Sequence, residues 1–131
     1  DGHTLRCFRE AEAFEGPSLI IAYSPCIAHG YDLVHGLEQQ KLAVQSAHWP
    51  LFRYHPALAR EGRNPFTLDS KGPTVPLRKY AYNETRYTML AHAHPEAAEA
   101  LLAEAERDAL ERWRRYEYLS QALPGWEAPH A

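Results

Sequence analysis

The stretch that most constrains this chain is Gly16-Pro17-Ser18-Leu19-Ile20-Ile21-Ala22-Tyr23-Ser24-Pro25-Cys26-Ile27-Ala28-His29-Gly30. A turn pair, Gly16-Pro17, precedes an apolar run of strand length with two consecutive isoleucines and no charge. A strand that does not alternate with polar residues is buried on both faces, as central strands of helix-covered parallel sheets are. Residues 18–23 are therefore expected to form such a central strand. Pro25 has no N–H for a ladder, so the strand is expected to stop before it. Cys26 then falls just past the carboxyl end of a buried strand, the edge where ligands bind in open α/β sheets.

One strand cannot make a sheet, so its neighbours must come from another chain or from more of this one. The chain opens Asp1-Gly2-His3-Thr4, with no initiator Met, no basic n-region and no apolar h-region. The expectation is a piece of a longer polypeptide without a signal peptide. The 131 residues suffice for one small domain with a real core. A net charge of −3 leaves no basic footprint for nucleic acid. No apolar stretch approaches the roughly 18–20 residues that span a bilayer. Neither nucleic acid nor membrane is an expected partner, and the expected location is cytoplasmic. In that compartment Cys7 and Cys26 are expected to remain reduced rather than pair.

Along the chain, Thr4 caps an expected helix running to about Phe14. Leu5, Phe8 and Glu12 lie on one side of it, with Ala11 nearby, and Arg6, Arg9 and Glu10 face more outward. Asp32 is a good N-cap for a helix to about Ser46, with a stripe of Leu33, Leu37, Lys41 and Val44. A second strand is expected over 49–54, with Pro50 marking its edge or start. Residues 1–54 thus read as part of an α/β domain. From 55 to 82, four prolines and two glycines predict a surface excursion, with short extended pieces at 64–69 and 79–82. Residues 83–123 read as C-terminal helices: Asn83 caps a short one, and Pro95 opens the longest. Ala98, Leu101, Leu102, Ala105, Ala109, Trp113, Tyr116 and Leu119 trace its apolar stripe, opposite Glu99, Glu106, Arg107, Glu111, Arg114 and Arg115. Residues 124–131 read as a disordered tail.

The eight histidines do not resolve into a metal site, because no His-x-x-x-His falls on a helix and there is no Cys-x-x-Cys. His92 and His94, two apart, do not share a helix face. His48, before Trp49, reads as a packing or capping residue, and Cys7 as a small packing residue in its helix. No nucleophile elbow, P-loop or dinucleotide fingerprint follows the strand. Pairing Cys26 with His29 or His48, as a protease would, has no geometry to fix it. Two readings of Cys26 stay open on the residues alone. It is an inert buried thiol, or it supplies one thiolate of four to a metal cluster whose other ligands lie elsewhere.

Several blocks, read in order, carry a resemblance. These are Phe8-Arg9-Glu10-Ala11-Glu12-Ala13-Phe14, the stretch 16–30, Gln39-Gln40-Lys41-Leu42-Ala43-Val44 and His48-Trp49-Pro50-Leu51-Phe52-Arg53-Tyr54. They continue with Asn64-Pro65-Phe66-Thr67-Leu68-Asp69-Ser70-Lys71, Asn83-Glu84-Thr85-Arg86-Tyr87 and Arg112-Trp113. Together they cover almost the whole chain, which resembles the C-terminal end of pyruvate:ferredoxin (flavodoxin) oxidoreductases.

The resemblance implies a fold: part of a parallel-sheet thiamine diphosphate-binding-type domain, then the proline-rich excursion and the C-terminal helices. It also implies the oxidative decarboxylation of pyruvate to acetyl-coenzyme A by the full-length enzyme, usually a homodimer. Thiamine diphosphate with Mg²⁺ and [4Fe–4S] clusters serve as cofactors, and ferredoxin or flavodoxin takes the electrons. In that family the cluster nearest the thiamine takes its fourth cysteine from the segment matching 23–30, where Cys26 stands. Cys7 matches no ligand. The other cluster cysteines and the thiamine-binding pattern lie in family segments preceding this one, so the 131 residues alone are expected to be inactive. The other class of reading is a non-enzymatic module, either a relic or a separately encoded subunit that docks on a partner.

Overall fold

A computed structural model describes residues 2–121. In order they form α1 (Gly2–Ala13), single 3-10 turns at Ile27–His29 and Leu33–His35, α2 (Gly36–Gln45), β1 (Phe52–Tyr54) and α3 (Pro56–Arg60). Then come β2 (Phe66–Leu68), α4 (Leu77–Ala81), α5 (Thr85–Ala93) and α6 (Pro95–Gln121). The class is mixed α/β and mostly helical. The sheet among the described residues is one antiparallel pair, with Phe52 opposite Leu68, Arg53 opposite Thr67 and Tyr54 opposite Phe66.

The starts and stops follow local chemistry. The Asp32 carboxylate accepts the Val34 N–H at 3.0 Å and caps the turn that leads into α2. Pro56 and Pro95 sit at first-turn positions of α3 and α6, where a missing N–H costs nothing. Asn64 works at both ends of one turn. Its Oδ1 accepts the Phe66 N–H at 2.9 Å, and its Nδ2 donates to the carbonyls of Leu119 and Ser120 near the end of α6. That satisfies carbonyls a helix end leaves unbonded.

The core lies where α2, α4 and α6 meet, around Ala43, Leu77, Tyr80, Ala81 and Leu102. The long stripe of α6 behaves largely as its periodicity predicts: Ala98, Leu102, Ala109 and Trp113 are buried. Phe52, Phe66 and Tyr116 form a second aromatic cluster between the strand pair and α6.

Four expectations need correction. Residues 18–23 form no strand; the segment is irregular, and Leu19 and Ile21 are 84% and 67% exposed. A strand requires a neighbour to bond to, and residues 18–23 pair with neither strand of the described sheet. Residues 79–82 are not extended, because 79–81 belong to α4, and the end of the proline-rich stretch lies in the core rather than on the surface. In α1 the inward side carries Cys7, Glu10 and Ala11, while Leu5 and Phe8 are exposed. In α2 the buried positions are Gly36, Gln39 and Ala43, and Leu37, from the expected stripe, is 87% exposed. Both helices hold apolar side chains outward because tertiary ion pairs and hydrogen bonds orient their polar sides inward. The expected tail, 124–131, lies outside the described residues.

Candidate functional site

Cys26 stands where the irregular segment meets the first 3-10 turn. Its backbone is extended, at φ −142° and ψ 137°, and its carbonyl accepts the His29 N–H at 3.0 Å. The thiol is exposed, and neither it nor the half-buried Cys7 is in a disulfide. The inert buried thiol weighed from the sequence therefore does not describe Cys26 in this structure. No group of three or more His, Cys, Asp or Glu side chains converges on a metal-sized point among the described residues. One exposed soft donor fits a cluster that takes its remaining ligands elsewhere, and is too little to hold one by itself.

Behind the Cys26 turn is a buried polar network that sequence reasoning did not identify. The N-cap of α5 is Glu84, 1% exposed. Its carboxylate accepts from the Gln39 amide of α2 at 2.9 Å and from the Arg86 guanidinium at 2.5 Å. Gln39 also donates to the Tyr80 carbonyl at 3.0 Å and accepts from the Asn83 amide at 3.0 Å. A buried carboxylate is tolerated only when paired and hydrogen-bonded, and both conditions hold here.

The Tyr23 and Tyr80 hydroxyls lie 2.6 Å apart, and Arg86 donates to both, at 3.0 and 3.1 Å. Burial raises the Tyr80 phenol, and the Tyr23 hydrogen bond and the nearby Glu84 charge raise it further. Burial opposes the charge on Arg86, but the hydrogen bonds to Glu84 and Tyr23 outweigh it and hold the guanidinium above its usual value.

Aromatic rings tie the Cys26 turn to this network. His29 stacks near Tyr23 and Tyr31, with ring centroids 6.0 and 6.4 Å apart, and its Nδ1 lies 3.9 Å from the Glu84 carboxylate. Tyr23 stacks on Trp49 at 5.2 Å, and His48 stacks on Tyr80 at 4.3 Å. The packing role expected of His48 is what the structure shows. Burial, with the Arg112 and Arg86 charges, pushes its imidazole down to about 4. It is therefore neutral near pH 7. The clue to this network in the sequence was Glu84 and Arg86 two residues apart beside a tyrosine, but nothing local showed that either was buried.

Beside the network opens an apolar groove of about 1170 Å³. One wall is α1 with residues 17–23, and the other includes Leu77, Leu90, Leu102 and Tyr116. The N-terminal wall is held by ions: Arg53 of β1 forks onto Asp69 at 2.7 and 2.8 Å and reaches Glu10 of α1 at 2.5 Å. His3 and Arg6 of α1 also approach Asp69, at 3.4 and 3.7 Å. No helix among the described residues is long and apolar enough to cross a membrane.

No protein-family model matches the chain. Curated relatives do. The chain is 52% identical over 120 residues, 92% of its length, to a pyruvate-flavodoxin oxidoreductase of Trichormus variabilis. It is 48% identical over 117 residues, 89% of its length, to a pyruvate:ferredoxin oxidoreductase of Moorella thermoacetica. Over 118 residues, 90% of its length, it is 42% identical to a probable pyruvate-flavodoxin oxidoreductase of Escherichia coli. In each case the match takes up 10% of the relative. The resemblance read from the sequence blocks is thus borne out, and the chain spans about a tenth of the length of the relatives it matches.

Proposed function

We propose that this chain is the C-terminal segment of a pyruvate:ferredoxin (flavodoxin) oxidoreductase. In the full-length, cytoplasmic and homodimeric enzyme, pyruvate, coenzyme A and an oxidised acceptor would give acetyl-coenzyme A, CO₂ and reduced ferredoxin or flavodoxin. Cys26 supplies one thiolate to the [4Fe–4S] cluster nearest the thiamine diphosphate, which is bound with Mg²⁺ by residues outside this chain. When bound, such a cluster takes up and passes on single electrons.

The observation that carries this reading is a match of about nine-tenths of the chain to several of these oxidoreductases at 42–52% identity. The exposure of the Cys26 thiol at the start of a turn supports its assignment as the ligand. This chain's own contribution is to present that thiol and to place a closed polar network, Glu84, Arg86, Tyr23 and Tyr80, behind it. The exposed Leu19 and Ile21, and the apolar groove, are then faces that the rest of the polypeptide covers. In that setting residues 18–23 gain sheet neighbours and act as the central strand of the thiamine diphosphate-binding-type domain.

The test is Cys26→Ala in the full-length polypeptide, purified without oxygen. Iron content should fall by one cluster, and the electron paramagnetic resonance signal of the cluster nearest the thiamine should vanish. An unchanged cluster complement would remove Cys26 from the ligand set.

A further inference from the structure

Gly30 ends the turn that Cys26 begins, and it stands at φ 74° and ψ 51°, in the left-handed region. Its carbonyl accepts two hydrogen bonds from one residue, Thr85 at the start of α5: the backbone N–H at 3.0 Å and Oγ1 at 2.5 Å. The approach is close enough that a Cβ on Gly30 would lie 2.5 Å from the Thr85 Cβ and 2.7 Å from its Oγ1. Glycine is therefore required for space as well as for conformation.

Within the turn, the Cys26 carbonyl takes the His29 N–H and the Ile27 carbonyl takes the Gly30 N–H at 3.1 Å. These two bonds close the turn, and Thr85 holds its far end. The grip is itself anchored. The residue before Thr85 is Glu84, locked to α2 through Gln39 and to Arg86. The ring contacts of His29 with Tyr23 and Tyr31 have no direction comparable to a pair of hydrogen bonds.

We propose that Thr85 is the positioning residue of the Cys26 turn, fixing through the Gly30 carbonyl where the Cys26 sulfur is presented. This inference rests on the assignment of Cys26 as a cluster ligand. Groups that orient a ligand without touching the metal control how tightly the metal is held and at what potential it works. Thr85 would do so by way of the backbone.

The test uses the full-length polypeptide, with Cys26→Ala, Thr85→Val and Thr85→Ser compared. Valine keeps the shape of threonine and removes the hydroxyl; serine keeps the hydroxyl. The readouts are the spectrum and midpoint potential of the cluster nearest the thiamine, and the rate at which an iron chelator strips it. In Thr85→Val the cluster should be lost about tenfold faster, the usual scale for second-layer changes at metal sites, with a displaced midpoint. Thr85→Ser should behave as the unmodified protein.

If Cys26→Ala abolishes the signal while Thr85→Val leaves loss rate and midpoint unchanged, the positioning role is wrong and the ligand assignment stands. If valine and serine are equally impaired, the hydroxyl is not the grip and the proposal also fails. An unaffected signal in Cys26→Ala removes the ligand assignment and this inference with it.

Discussion

The Arg86 guanidinium holds the buried Glu84 carboxylate at 2.5 Å while its other nitrogen bridges the Tyr23 and Tyr80 hydroxyls. One cation thus closes a network that ties the segment before Cys26 to α4 and α5. Removing it leaves a buried charge without its partner. Arg86→Met should destabilise the fold by about 3 kcal/mol, the low end for breaking a buried pair, because Arg86 keeps partial contact with solvent. Glu84→Gln combined with Arg86→Met should recover part of that loss. Denaturant unfolding followed by tryptophan fluorescence reads both, and equal stability of Arg86→Met and the unmodified chain would show the network to be dispensable.

Tyr23→Phe tests the tether between the irregular segment and the core. It deletes the hydroxyl that bonds Tyr80 and Arg86, which should cost about 1–2 kcal/mol. It should also bring the Tyr80 phenol down toward its ordinary value, since the Tyr23 hydrogen bond helps raise it. Because the folded-state value of Tyr80 lies above 10, its stabilisation is complete below pH 10 and is lost as pH rises beyond it. In the variant Tyr80 should ionise at lower pH than in the unmodified chain, read by tyrosinate absorbance during alkaline titration, and the stability loss, which starts near pH 10 in both, should be smaller.

His48 sets a dependence at the acid end. Its folded value is about 4 against an ordinary 6.5, so between these pH values the unfolded chain binds the extra proton. Stability is therefore complete above about pH 6.5 and declines as pH falls toward 4. Replacing His48 with Gln should flatten that part of the curve. A slope in His48→Gln equal to that of the unmodified chain would assign the acid loss to other groups.

The attachment of α1 is ionic rather than apolar: no residue of α1 is buried, and Glu10, His3 and Arg6 meet the Arg53–Asp69 pair. These pairs keep partial contact with solvent, with Arg53 20% and Glu10 38% exposed, so salt screens them in part. Arg53→Ala should therefore release α1, seen as faster amide exchange over residues 2–13 with little change at Tyr80 and Ala81. High salt should act in the same direction on the unmodified chain, but more weakly.

Expressed alone, the 131 residues should bind a hydrophobic dye and self-associate, because Leu19, Ile21, Leu37 and the apolar groove lack cover. Light scattering and dye fluorescence check this. A monodisperse chain that excludes the dye would favour a self-sufficient module over a segment of a larger enzyme.

Much was decided by the sequence alone. Asp32 and Pro95 set helix starts, since capping and proline geometry act within a few residues, whereas the short helix at Pro56–Arg60 was not expected in the proline-rich stretch. The stripe of α6 chose most of its buried face, since twenty-seven residues average out local exceptions. The succession of blocks from 8 to 113 identified the relatives. The tertiary structure decided the rest. Residues 18–23 carry every local mark of a buried strand, yet a strand exists only as one of a pair, and these residues pair with neither β1 nor β2. Glu10 and Gln39 turn inward, against their polarity, because Arg53, Tyr80 and Glu84 wait for them across 41 to 45 positions of chain. Burial of a charge depends on what folds back to meet it. A local pattern reports the face a residue prefers, and only the assembled chain supplies the partner that overrules it.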